Sequence, residues 1–221
     1  MPVLRSRWSS AGSAIREQLH RRGLGLCVSL GAGVLALSFA AYVAGRTGVP
    51  LAALVRDPAA IARHPFYYGF FSNLGVVLWA ACGGFLVLGS VALWTRRGRT
   101  PHACFLACFA CTTWMLALDD LYMVHEDAYR QLLPGPEEVP LAAYAAVLFA
   151  GLFAFRRLIW QSDWLPLAFA LGFFAASILA DVILDQGPLQ HYLEDAAKLL
   201  GIIAWVHYFG VETLRSLRAE P

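Results

Sequence analysis

The chain has 221 residues, 59% hydrophobic and 14% charged, with a mean hydropathy of +0.58 and a formal net charge of +2. Soluble domains carry about 25% charged residues, so this deficit argues against an ordinary soluble fold. The small positive balance, without a basic patch, gives no ground for nucleic-acid binding. No Gly-rich phosphate loop, nucleophile elbow or HExxH helix is present.

Six apolar segments follow one another. The first, about 24–45, comes after a basic stretch and is too long for a signal-peptide core, so it reads as an uncleaved signal anchor. The second, about 66–94, opens on "HPFYYGFFSN", where Phe66, Tyr67 and Tyr68 suit an interfacial aromatic belt. The third, about 103–124, ends in "LDDLYMVHED". The fourth, about 140–158, is the shortest, and about 164–184 and 192–213 complete the set. A span needs about 20 residues. Open strands leave backbone groups unsatisfied in lipid, so all six should be helices. The expectation is an all-α, polytopic bundle of six transmembrane helices. Residues 1–23 are a basic N-terminal segment, 24–214 the membrane domain and 215–221 a short tail.

The arginines orient this bundle. Arg5, Arg7, Arg16, Arg21, Arg22, Arg96, Arg97, Arg99, Arg156, Arg157, Arg215 and Arg218 fall on one side, against Arg46, Arg56, Arg63 and Arg130 on the other. By the positive-inside rule both termini are cytoplasmic. Cys104, Cys108 and Cys111 share a stripe of the third segment and read as small packing residues. No pair of the five cysteines suggests a disulfide framework.

Acids gather on the opposite, outer side. The third segment ends there with Asp119, Asp120, His125, Glu126 and Asp127, and the fifth with Ser177, Asp181 and Asp185. The sixth begins there with His191, Glu194, Asp195 and Lys198, the chain's only lysine. At 100° per residue, Asp119, Tyr122, His125 and Glu126 share an arc from which Asp120 turns away. Asp119 and Asp181 lie at the depth of Lys198 and are its expected partners.

Six carboxylates, Asp119, Glu126, Asp181, Asp185, Glu194 and Asp195, would then surround one ammonium. Either several are protonated or a divalent metal is bound. Mixed imidazole and carboxylate donors suit zinc, iron or manganese better than calcium. His125, Glu126, Asp181, His191 and Asp195 are the candidate ligands, and Asp119, Glu194 and Lys198 the candidates for catalytic roles beside a metal-activated water.

The "LDD-x4-HE" end of the third segment, with "ED-x2-K-x2-G" at the start of the last, resembles a group of bacterial multi-span membrane proteins to which no activity is assigned. The likeness covers Leu118–Glu126 and Glu194–Gly201. It is more distantly similar to the alkaline ceramidase and adiponectin-receptor-like hydrolases. That likeness implies zinc-dependent hydrolysis at a membrane face, but this chain offers His191 and Asp195 where those hydrolases have a late HxxxH pair.

Three functions fit. The first is a binding, sensing or accessory membrane protein, with the bilayer and a small-molecule, lipid or ion ligand as its partners. The second is a metal-dependent hydrolase acting on a lipid or amide. The third is a cation- or proton-coupled transporter, since buried acids with a lysine also form proton relays. No internal repeat or Gly/Pro-broken helix pair supports transport.

Overall fold

The computed structural model describes residues 2–98, 100–125, 129, 138–185 and 187–218. They form two compact units, Met1–Tyr68 and Gly69–Pro221. Among the described residues every regular element is a helix.

In the first unit, helix α1 (Pro2–Thr47) runs unbroken from the basic stretch through the apolar one. Its side chains Leu24, Leu35, Leu37 and Phe39 stand exposed, as lipid-facing residues do. Two short helices follow, α2 (Leu51–Val55) and α3 (Pro58–Ala62). Asp57 starts α3 by accepting the Ala60 N–H at 3.0 Å, and Pro58 at the first helical position lacks only an N–H that would have no partner there.

In the second unit, α4 (Phe70–Arg97) is stopped by Gly98, whose φ of +73° suits glycine. Thr100 then caps α5 (Pro101–Tyr122) by accepting the Ala103 N–H at 3.1 Å. Four more helices are α6 (Glu138–Ala154), α7 (Arg156–Trp160), α8 (Leu165–Ile183) and α9 (Pro188–Arg218). The fourth apolar segment is therefore two helices rather than one. Phe155 breaks the run, and Arg156 donates to the freed Phe153 carbonyl at 2.9 Å while lying over the Phe153 ring.

Helix contacts set the order α8–α9–α4–α5–α6 within this unit. The core lies where α4, α5 and α9 meet, with Trp79, Leu86, Phe105, Phe109, Trp205 and Phe209 all buried. Trp205 and Phe209 pack with ring centroids 4.7 Å apart, and Phe109 and Phe209 with 4.8 Å. Trp205 also donates its indole N–H to Thr113 Oγ1 at 3.1 Å, which satisfies a buried donor. Close approach depends on glycine. A Cβ at Gly201 would stand 2.5 Å from the Phe174 ring, and one at Gly89 2.5 Å from Thr213. Small residues at such contacts are how membrane helices pack, because lipid supplies no hydrophobic drive to press them together.

Among the described residues four helices are long and apolar enough to cross a membrane: Gly23–Thr47, Phe70–Arg96, Pro101–Tyr122 and Leu165–Ile183. Of the other two expected spans, Val139–Ala154 is apolar but shorter. The last lies in α9, which at 31 residues is about 46 Å long and carries its charges mostly in its first three turns and its last two.

Candidate functional site

Helices α5 and α8 end, and α4 and α9 begin, at the same end of the second unit, and polar side chains collect there. Among the described residues they fall into three hydrogen-bonded groups.

The first group joins α5 to α6. Asp119, buried, accepts the Tyr144 hydroxyl at 3.0 Å and the His125 backbone N–H at 3.0 Å. His125 Nδ1 lies 2.6 Å from the other carboxylate oxygen. Local chain geometry makes this pairing. Met123 closes α5 in the left-handed region at φ +47°, and its N–H bonds back to the Asp119 carbonyl. That turn folds His125 back over the helix end onto the Asp119 side chain.

The second group joins α5 to α9. Lys198 donates to Asp120 in a close ion pair. The expected partners, Asp119 and Asp181, are thus corrected to Asp120. Consecutive residues on a helix differ by 100° in direction. Two adjacent aspartates can therefore serve opposite neighbours, Asp119 toward α6 and Asp120 toward α9. Phase within α5 alone sets Asp120 outside the cluster because it takes no account of α5 packing on both sides.

Beside the pair lies a cavity of about 10 Å³, lined by Ser72, Gly75, Asp120, Asp195 and Lys198 with Phe71, Leu199 and Ile202. That is about the room one water needs. Gly75 keeps it open, since a Cβ there would approach Ile202 to 3.1 Å and Asp120 Oδ2 to 3.6 Å.

The third group joins α8 to α9 across their short connection. The Gln190 amide nitrogen donates to Asp181 Oδ1 at 3.1 Å and to Glu194 Oε2 at 3.0 Å. Gln190 is 2% exposed, and its Oε1 is buried with no hydrogen-bond partner among the described residues.

Of the remaining candidates, His191 and Asp185 are exposed and Glu126 lies outside the described residues. Among the described residues, no three His, Cys, Asp or Glu side chains come together as a metal-holding group. Of the expected ligand set of His125, Glu126, Asp181, His191 and Asp195, His125 pairs with Asp119, Asp181 accepts from Gln190, and Asp195 lines the cavity. Sequence reasoning missed Asp120, Tyr144 and Gln190. Gln190 carries a usable signal, standing one turn before Glu194 on the same face.

Fold and site together define a class: a protein whose described residues are helical, with four helices among them long and apolar enough to cross a membrane, and partly buried polar pairs gathered at one end of its second unit. Within that class, the chain belongs to the family described as Domain of unknown function (DUF8692), whose model matches residues 27–211. No curated protein and no solved structure matches the chain.

Proposed function

We propose that the chain is a six-span protein of a bacterial plasma membrane, with both termini cytoplasmic and its polar end at the outer face. There it serves as a binding or sensing protein for a small ligand or ion. The arginine asymmetry supports the orientation. One observation carries the functional reading: the cavity at the Asp120–Lys198 pair has room for about one water, not for an acyl chain. A ligand on that scale engages charge, and a shift in one ion pair is felt by both helices that hold it. The likeness to multi-span bacterial proteins with the same two motifs is consistent with this reading.

A metal-dependent hydrolase is the second reading, and one observation favours it. A buried carboxylate that holds an imidazole through Nδ1, as Asp119 holds His125, is the arrangement that orients general bases. Near-stoichiometric zinc, iron or manganese in the purified protein, lost on chelation together with melting temperature, would move the conclusion to that reading.

Ser72, at the cavity, supplies the test. Ser72→Cys should react with a membrane-impermeant thiol reagent added outside intact spheroplasts. The native Cys27, Cys104, Cys108 and Cys111, which the proposed topology sets toward the cytoplasmic side, should not. Labelling of the introduced thiol only after lysis overturns the orientation and the outer-face site with it.

A further inference from the structure

We propose that residues 48–69, which join the first two apolar helices, lie in the headgroup layer of the membrane and bind anionic phospholipid there. Leu54, Val55, Ile61 and Phe66 enter the acyl boundary, and Arg56 and Arg63 meet the phosphates. The inference goes beyond the reading above and rests on it only in requiring that α1 and α4 both cross the bilayer.

A few residues suffice to join two packed helices, and connections much longer than a dozen residues usually carry a function. This one runs for 22 residues between Thr47 and Phe70. Each end continues into a helix long and apolar enough to cross, so consecutive spans return both ends to the same membrane surface. The side chains between them are unsuited to water. All eight large apolar or aromatic residues from Val49 to Tyr68 are exposed, Phe66 at 94%. Neither α2 nor α3 has a buried residue. Leu51, Leu54 and Val55, spaced i, i+3, i+4, share one face of α2. A contiguous exposed apolar patch marks a binding surface, and continuity with two spans makes lipid its cover.

The rings and the charges fix the depth and the kind of lipid. Phe66 meets Tyr67 and Tyr67 meets Tyr68 edge to face, with centroids 5.5 and 5.6 Å apart, and His64 stacks on Tyr68 at 5.2 Å. These rings pack on one another and stay open outward, and tyrosines with one apolar and one polar end settle at headgroup level. Arg56 ends α2 and Arg63 ends α3. Both are exposed, and among the described residues neither has an acidic partner. Asp57, the only acid of the segment, accepts the Ala60 N–H to start α3. Positive charge is therefore in excess, and guanidinium groups hold phosphate oxygens through paired hydrogen bonds. The backbone is prepared for this depth as well. The N–H groups of Arg56, Ile61, His64 and Tyr68 donate to carbonyls of the same segment at 2.9–3.1 Å, so leaving water exposes fewer bare donors.

Hydrogen–deuterium exchange of the full chain tests this, in phosphatidylcholine nanodiscs with and without phosphatidylglycerol, at low ionic strength. One arginine near an anionic surface shifts the bound population about fivefold, so the hydrogen-bonded amides of 51–68 should exchange at least fivefold more slowly with phosphatidylglycerol. High salt should erase the difference. Arg56→Gln with Arg63→Gln should erase it too, while amides in the α5 core keep their rates. The wild-type comparison needs no variant to fold. Exchange equal in the two lipids overturns the inference, as does a lipid difference that survives in the double arginine variant. Protection equally strong in detergent micelles also overturns it, since protein, such as a second copy of the chain, would then be the cover. Ser72→Cys labelling reports only which leaflet the segment faces, so failure of the outer-face reading and failure of lipid binding are told apart.

Discussion

Replacing Lys198 by methionine removes the only ammonium among the described acids of this end and leaves Asp120 with its charge and no partner. Breaking a buried ion pair from one side costs about 3–5 kcal/mol. The Asp120 side chain is 7% exposed, but that of Lys198 is 37% exposed, so water already screens the lysine end. We therefore expect a loss of about 2 kcal/mol. At 2–4 °C per kcal/mol for a chain of this size, the melting temperature should fall by roughly 4–8 °C. Thermal unfolding in mild detergent, followed by tryptophan fluorescence, reads this directly. Adding Asp120→Asn to Lys198→Met should recover about half the loss or more, the coupling expected of a contacting pair. Adding Asp119→Asn should recover much less, because Asp119 is bonded to Tyr144 and His125 and not to Lys198. A melting temperature unchanged in Lys198→Met, or rescue by Asp119→Asn instead, would refute the pairing.

Lys198→Arg should also melt lower, by about 1 kcal/mol, since the planar guanidinium needs a geometry that a cavity for one water does not provide. Gly201→Ala sets a methyl group 2.5 Å from the Phe174 ring and should cost about 1–3 kcal/mol in the same assay. Phe174→Leu should restore part of that loss. Thr113→Val leaves the buried Trp205 indole N–H without an acceptor, a further loss of about 1–3 kcal/mol. Tyr144→Phe removes one hydrogen bond to Asp119 and should cost about 1 kcal/mol, an effect that disappears when Asp119 is already alanine.

The helical class was legible because lipid leaves a chain so few choices. In lipid a run of twenty apolar residues must be a helix, because its backbone groups have no other partners. Phe155 was not legible. An apolar residue inside an apolar run carries no stop signal, and the break becomes visible only where Arg156 turns back to the Phe153 carbonyl. At the polar end, residue types were readable and partners were not. Asp119 and Asp120 look equivalent in sequence, and only the order of packed helices decides which of them meets Lys198. Gln190 was passed over because an amide has no charge to count, although it is the group that joins the two acids across α8 and α9.

Helix α6 holds 17 residues, about 25 Å of helix against a hydrocarbon core of about 30 Å. In the six-span arrangement proposed here its neighbour α5, at 22 residues, is long enough to cross, and the described length of α6 is not. A short helix is matched to the bilayer by local thinning, at a fraction of a kcal/mol for each ångström of mismatch. The thinned patch would lie along the flank of α6, the helix that supplies Tyr144 to Asp119. Thick, sterol-like bilayers should then draw on that contact and thin ones relax it, which ties the Asp119–His125 pair to the mechanical state of the membrane around it.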